Sequence, residues 1–158
     1  MAGKVKAIPD GRDCAIPYLC VKAAAEAIEF YKKAFGATEV MRMAQPDGKI
    51  AHAEIKIGKA AIMLADEFPE MGVLSPQTLG GTPVMIHLAV EDVDALAKQA
   101  VAAGARVLRP VEDQFYGDRG GKLEDPFGHA WWIATHKEDV SPEEMQKRAA
   151  ALFGPKQS

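Results

Sequence analysis

One stretch of the sequence occurs twice, and this near-repeat limits what the chain can fold into. Ile16–Val21 leads into an alanine-rich segment that ends at Phe35-Gly36-Ala37. Met85–Val90 leads into a second segment of the same kind, which ends at Ala103-Gly104-Ala105. Each copy has the pattern of a strand followed by a helix that a glycine terminates. The sequence therefore predicts two copies of one structural unit.

The spacing between the copies supports a duplication. Val21 matches Val90 and Gly36 matches Gly104, in both cases about seventy positions further along the chain. This period is far longer than the repeats of solenoid proteins, which are roughly 20–50 residues long. The two units are therefore expected to be halves of one domain that spans residues 1–158.

Composition excludes several classes of function. The 158 residues are 48% hydrophobic, which is enough for one core of ordinary size. The net charge is -3 and no lysine or arginine cluster stands out, so a nucleic-acid partner is not expected. No apolar run is long enough for a membrane span, and the first residues lack a signal peptide's apolar core. A cytoplasmic protein without a membrane partner is predicted.

The two cysteines fit a reducing compartment. Cys14 and Cys20 lie six residues apart in one extended segment. At about 3.3 Å per residue, their separation of roughly 20 Å is too great for a disulfide. Both are predicted to be small apolar side chains without a bridge.

The first unit, residues 15–65, has the pattern of a βαβββ module. Apolar residues recur at three- and four-residue spacing between Ala24 and Phe35, which predicts a helix that Gly36 ends. Three segments with strand character follow, separated by glycine turns. These predicted strands are Glu39–Ala44, Ile50–Ile57 and Ala60–Leu64.

Residues 66–83 form a predicted connector, which is either a binding loop or a passive linker. The second module, residues 84–136, begins with a strand at Val84–Val90 and a helix near Asp92. Its next strand is expected to end before Arg109-Pro110, and its last two are Lys122–Glu124 and Ala130–Thr135. The tail, residues 137–158, should form a helix capped by Ser141.

The sequence resembles the glyoxalase/bleomycin-resistance/dioxygenase superfamily, also called the vicinal oxygen chelate superfamily, and within it the PhnB-like branch. The stretches that carry the resemblance, in order, are Pro17–Leu19, Ala27–Ala37, Leu64–Glu70, Leu79–Pro83, Tyr116–Arg119, Asp125–His129 and Thr135–Met145. The resemblance implies an α+β fold in which two βαβββ modules form a curved mixed sheet around a cleft. It also implies a homodimer.

Metal-dependent members of this superfamily hold a divalent ion with histidine and glutamate ligands on the first and last strands of each module. The positions where the resemblance places those ligands are occupied by Ile16, Ile62, Met85 and Trp132. None of these side chains is a usual metal ligand, so neither a metal nor another cofactor is expected. The alternative is a displaced divalent-metal site formed by His52, Glu54 and His87.

The cleft that the resemblance implies would then bind an organic molecule. Its predicted ligand-binding residues are mainly aromatic or apolar, namely Tyr18, His52, Met85, His87, Phe115, Tyr116 and Trp132. Such a lining suits a flat or partly apolar small molecule. Only one of Trp131 and Trp132 can face the cleft, and His129 and His136 are expected to be structural or exposed.

Three functions are compatible with these residues. The first hypothesis is a glyoxalase/bleomycin-resistance-like protein that binds a small organic molecule between the modules without a metal. The alternative is a metal-dependent lyase, isomerase, thiol transferase or dioxygenase with a displaced site. A third reading is a regulatory protein whose cleft has lost its ligand, and an occluded cleft would be its sign. No catalytic residue is assigned by the sequence.

Overall fold

The computed structural model describes residues 3–155 and contains eight strands and four α-helices within that range. The elements of the first module are β1 (Tyr18–Val21), α1 (Ala24–Phe35), β2 (Thr38–Ala44), β3 (Ile50–Ile57) and β4 (Ala60–Asp66). The connector contains a 3₁₀ turn (Pro69–Met71) and α2 (Pro76–Leu79). The remaining elements are β5 (Met85–Ala89), α3 (Val93–Ala103), β6 (Arg106–Asp113), β7 (Asp118–Glu124), β8 (Ala130–His136) and α4 (Pro142–Phe153).

The strands form two four-stranded mixed sheets with the same topology. The strand order is β1-β4-β3-β2 in the first sheet and β5-β8-β7-β6 in the second. In each sheet the first strand runs parallel to the last, and the other pairs are antiparallel. The predicted α+β fold of two βαβββ modules is therefore confirmed.

Helices α1 and α3 each cover one face of their own sheet. In α1 the buried side chains follow the predicted helical spacing, and Gly36 ends the helix in the left-handed region with φ 67°. In α3 the side chain of Asp92 caps the first turn by accepting a hydrogen bond from the Ala95 amide. Gln99 of α3 donates a hydrogen bond to the Ala34 carbonyl of α1, so the two helices also contact each other.

A buried aromatic cluster joins the modules. Trp131 of β8 is 1% exposed, and its ring centroid lies 4.5 Å from that of Phe35 in α1. Asp125, in the turn before β8, accepts hydrogen bonds from the Tyr31 hydroxyl at 2.6 Å and from the Trp131 indole at 3.0 Å. Burial beside this carboxylate raises the pKa of Tyr31 well above its usual value. The buried carboxylate thus has partners from both modules, as a buried polar group requires.

Two predicted boundaries in the second module were wrong. The strand β6 does not end before Arg109-Pro110 but continues to Asp113, with a register shift between Arg109 and Glu112. Because β6 is an edge strand, a proline without an amide hydrogen can occupy it. The strand β7 begins at Asp118, four residues earlier than predicted, because Gly120 and Gly121 pair with β8 instead of forming a loop.

The C-terminal helix begins where its capping residues predict. Ser141 accepts a hydrogen bond from the Glu144 amide, and Pro142 is the first helical residue. Both cysteines are free. Within residues 3–155 no helix combines the length and the apolar character that crossing a bilayer would need.

Candidate functional site

Each sheet has a second face that its own helix does not cover. On the first sheet this open face carries Tyr18, Cys20, His52, Glu54 and Met63, which are cross-strand neighbours or alternate along one strand. On the second sheet the open face carries Met85, His87, Lys122 and Trp132 for the same reason. Several of these side chains are solvent-exposed, Tyr18 by 53% and Met85 by 47%.

A cleft of about 590 Å³ lies between β1 and β5, beneath the connector. Its walls are residues 17–20 of the first module, part of the segment 74–87, and His129 and Ala130 of the second module. Apolar side chains predominate, and Tyr18, His87 and His129 are the larger polar residues of the lining. The cleft is open rather than occluded.

The connector is held over the cleft by hydrogen bonds. The side chain of Ser75 caps α2 by accepting from the Thr78 amide. Glu67, directly after β4, accepts a hydrogen bond from the Ser75 amide at 2.9 Å and from the Thr78 hydroxyl at 2.8 Å. Hydrogen bonds from Ser75, and next from Thr78, lower the pKa of Glu67 to about 2. These hydrogen bonds therefore fix the part of the connector that lines the cleft.

A hydrogen-bonded series of side chains extends from the cleft across the open face of the first sheet. The Tyr18 hydroxyl lies 2.8 Å from Nδ1 of His52, and Nε2 of His52 lies 3.2 Å from Oε1 of Glu54. Arg12, from the segment before β1, donates to the other carboxylate oxygen of Glu54. Hydrogen bonding from His52, and then from Arg12, lowers the pKa of Glu54. Burial, followed by the nearby Cys20 and Glu54, raises the pKa of Tyr18.

The structure brings together some of the predicted ligand-binding residues. Tyr18, Met85 and His87 line the cleft, and His52 contacts Tyr18 directly. Trp132 is paired with His87 in the parallel register and shares its face, one strand away from the cleft. Trp131 is the member of the tryptophan pair that fills the core.

Phe115 and Tyr116 lie elsewhere in the fold. Their rings contact each other at a centroid distance of 5.2 Å, and Phe115 also contacts Phe153 of α4 at 5.9 Å. The Phe115 carbonyl accepts a hydrogen bond from Arg148 of α4. Phe115 therefore packs on the C-terminal helix, and neither Phe115 nor Tyr116 is among the residues that line the cleft between β1 and β5.

The residues proposed for a displaced metal site do not form one within a single chain. No group of three or more His, Cys, Asp or Glu side chains in residues 3–155 is arranged to hold a metal ion. His52 uses both ring nitrogens in hydrogen bonds, and His87 lies on the other sheet. The side chains present therefore do not match the ligand set of the metal-dependent members.

Sequence reasoning missed two parts of the site. His129 was expected to be structural or exposed, and its Nε2 does lie 2.9 Å from the Cys20 carbonyl oxygen, but its place in the lining of the cleft was not predicted. The connector was predicted to be either a binding loop or a passive linker, but its cleft-lining residues Leu74, Pro76 and Leu79 were not named individually. The length and glycine content of the connector were the available signal, because such loops often carry binding residues.

Most of the chain matches one known protein family. Residues 14–133 match the model of the Glyoxalase/Bleomycin resistance protein/Dioxygenase superfamily. The chain belongs to this superfamily. The matched range covers β1 to the middle of β8, so the glyoxalase-type frame includes both modules and the connector.

The chain is also similar to individual proteins over most of its length. The uncharacterised protein Rv0887c of Mycobacterium tuberculosis H37Rv is 47% identical over 133 residues, which is 82% of this chain and 78% of the relative. The fold matches the PhnB protein of Bacillus cereus with a TM-score of 0.60 and 18% identity, covering 77% of this chain and 98% of that one. It also matches the fosfomycin resistance protein FosX of Listeria monocytogenes, complexed with Mn(II) and sulfate, with a TM-score of 0.60 and 19% identity over 86% and 96% of the chains.

Proposed function

We propose that the protein binds a small, partly apolar organic molecule in the cleft between β1 and β5, without a metal. The observation that carries this proposal is the cleft itself, whose volume of about 590 Å³ lies within the usual range for small-molecule sites. Its apolar walls would supply most of the affinity through burial of the ligand. Its few polar groups would fix the ligand's orientation.

The positions of the polar groups restrict the ligand. Tyr18 lines the cleft from the first module, whereas His87 and His129 line it from the second. A ligand that contacts both modules therefore needs an apolar body with polar atoms near more than one edge. Leu79 and Met85 offer apolar contacts to that body.

Binding of the amphiphilic fluorescent probe anilinonaphthalene sulfonate tests the proposal. We expect Leu79→Glu to weaken probe binding by about tenfold, because the substitution introduces a carboxylate into an apolar wall. Leu79 lies on the connector, so this variant leaves the open faces of both sheets unchanged.

The matched control is Val101→Glu, which alters a second apolar groove between α3 and β6. Val101 is 45% exposed, so its substitution should leave the fold intact. Loss of probe binding in the Val101 variant, with full binding in the Leu79 variant, would place the probe in the other groove and overturn the proposal.

A metal-dependent enzyme is the second candidate. The fold match to a FosX structure complexed with Mn(II) and the adjacency of His52 and Glu54 favour it. A metal would have to displace the hydrogen bonds that His52 makes to Tyr18 or Glu54. Elemental mass spectrometry, with titration of Ni, Zn, Mn and Fe into stripped protein, distinguishes the candidates. Stoichiometric metal that is lost in His52→Ala would favour the enzyme.

We further propose a homodimer in which the open face of the first sheet lies against the open face of the partner's second sheet. Met43 on the first sheet is 54% exposed and Met85 on the second is 47% exposed, so both faces offer apolar area. Light scattering should show a dimer that Met43→Glu converts to a monomer, whereas Val101→Glu should remain dimeric. A wild-type monomer would contradict this arrangement.

A further inference from the structure

The series of side chains that begins at Tyr18 has the arrangement of a nucleophile, a base and an orienting carboxylate. Tyr18 lines the cleft, and its hydroxyl is within hydrogen-bond distance of His52 at 2.8 Å. His52 is in turn 3.2 Å from Glu54. A nucleophile next to a base that a third group orients is the general signature of covalent catalysis.

The proton positions follow from the charges. Glu54 is ionised because His52 and Arg12 both favour its charged form. An ionised carboxylate can only accept, so Nε2 of His52 carries the hydrogen. In the neutral ring Nδ1 is then free to accept the hydroxyl hydrogen of Tyr18. The imidazole is therefore oriented as the base of the phenol.

The environment shields the orienting part of the series from solvent. The Glu54 side chain is 14% exposed and the His52 side chain is 25% exposed. Arg12 covers Glu54 from the N-terminal segment and fixes the carboxylate. Tyr18, by contrast, is 53% exposed and lines the cleft. Only the end of the series is therefore presented to a bound molecule.

We propose that Tyr18 is a catalytic nucleophile that His52 activates, and that the cleft hydrolyses a small apolar carboxylic ester. This inference rests on the proposed binding of a small molecule in the same cleft. Glu54 and Arg12 are positioning residues, since they act through His52. The ester's apolar part would contact Leu79 and Met85.

The reaction has two balanced steps. In the first, the Tyr18 oxygen attacks the ester carbonyl carbon while its proton passes to Nδ1 of His52. The tetrahedral intermediate then expels the alcohol, which takes that proton, and an acylated Tyr18 is formed. In the second step water attacks this aryl ester with His52 as base. The products are the acid and free Tyr18, and the overall reaction consumes one ester and one water.

The chain provides its own control for a labelling experiment with the probe p-nitrophenyl acetate. Its three tyrosines are Tyr18, Tyr31 and Tyr116. Tyr31 is fully buried, and Tyr116 lies outside the cleft beside Phe115. Rapid-quench peptide mass spectrometry should find acetyl groups on Tyr18, with Tyr116 as the reference for background acylation.

Variants separate activation from simple exposure. We expect Tyr18→Phe to abolish the initial release of p-nitrophenol and His52→Ala to slow acetylation of Tyr18 by roughly 100-fold, the usual scale for loss of a general base. Added imidazole should restore part of the rate in His52→Ala, which a merely structural role would not produce. Glu54→Gln should slow the step by less than His52→Ala does, because Glu54 acts only through His52.

Two results would overturn the proposal. The first is the absence of acetylation at Tyr18. The second is that Tyr18 is acetylated at the same rate relative to Tyr116 in His52→Ala as in the wild type. Binding of anilinonaphthalene sulfonate is measured on the same samples. If the protein binds the probe but Tyr18 is not acetylated, only the catalytic role of Tyr18 is contradicted. If the protein neither binds the probe nor is acetylated at Tyr18, the proposed binding site is contradicted as well. Probe binding by His52→Ala and by a second variant, His52→Gln, also verifies that the folded cleft persists.

Discussion

The open faces of the two sheets occupy equivalent positions but carry different chemistry. On the first sheet one cross-strand row consists of Tyr18, Met63 and Glu54. On the second sheet the same row consists of His87, Trp132 and Lys122. A phenol and a carboxylate are thus replaced by an imidazole and an ammonium group, while the strand order around them is unchanged.

The neighbouring position explains why only one module holds the polar series. His52 lies two residues before Glu54 on β3, and Gly120 lies two residues before Lys122 on β7. A Cβ atom at Gly120 would lie 2.8 Å from the Ile133 carbonyl oxygen and 3.0 Å from the Trp132 indole nitrogen. In the second module the Trp132 side chain therefore occupies the space that a side chain at position 120 would need. A repeated backbone does not imply a repeated site.

The largest expected effect concerns the turns between the last two strands of each module. The first module uses a short turn at Gly58-Lys59, whereas the second uses the buried Asp125 to bind Tyr31 and Trp131. We expect Asp125→Ala to lower the free energy of unfolding by about 4 kcal/mol, because the two buried side-chain donors and the backbone amides of Phe127 and His129 lose their acceptor. Urea denaturation measures this loss.

The control for that variant is Asp47→Ala. Asp47 is an exposed turn residue of the first module whose carboxylate accepts one backbone hydrogen bond, from the Lys49 amide. Its substitution should cost less than about 1 kcal/mol. Equal losses in the two variants would show that Asp125 does not join the modules in the way described.

A smaller loss of stability is expected for substitution of Gly120, the position at which the open faces of the two sheets differ. Gly120→Ala forces a methyl group against the Ile133 carbonyl and the Trp132 ring, and should cost about 2 kcal/mol through overpacking. The exposed Gly3, with no heavy atom within 4 Å of an added Cβ, provides the comparison. Thermal unfolding of Gly3→Ala should match wild type. If Gly120→Ala does so as well, Trp132 does not fill that space.

The smallest effect concerns surface carboxylates and depends on pH. Hydrogen bonds from Arg42, and next from Lys32, lower the pKa of Glu39 in the first module to about 2. Because the unfolded pKa is higher, near 4.3, ionised Glu39 stabilises the fold fully above about pH 4.5, and this stabilisation disappears as the pH falls to about 2. The difference in melting temperature between wild type and Glu39→Gln should vanish over that window.

Glu124 provides the matching case in the second module. It pairs with Arg106, whose side chain is 70% exposed, so water screens the pair strongly. We expect Glu124→Gln to change the melting temperature less than Glu39→Gln does at pH 6. The opposite order would indicate that the second module relies on its surface ion pair more than the first.

Local patterns were sufficient for much of the fold. Helical spacing and a terminal glycine predicted α1, and the Ser141-Pro142 pair predicted the start of α4. The strand β6 was shortened because a proline normally interrupts pairing, and only the tertiary arrangement shows that β6 lies at a sheet edge.

The candidate site was less predictable from sequence. Tyr18, Met85 and His87 were proposed from the cleft that the family resemblance implies, with alternation along β5 placing His87 on the face of Met85, and all three line the cleft. The contact between His129 and the Cys20 carbonyl joins residues 109 positions apart, and no local signal reports such a distance. Phe115 and Tyr116 had the composition of a ligand contact, but the packing of Phe115 on α4 depends on Phe153, which is also remote in sequence.

The connector can vary in sequence more freely than the strands that form the rest of the cleft. It supplies a wall of the cleft, yet Leu74 and Leu79 take part in no strand pairing. Substitutions there alter the shape offered to a ligand while the hydrogen bonds of both sheets stay the same. If the cleft binds a small molecule as proposed, related proteins can change ligand preference through substitutions in this one segment while the strand pairing stays the same.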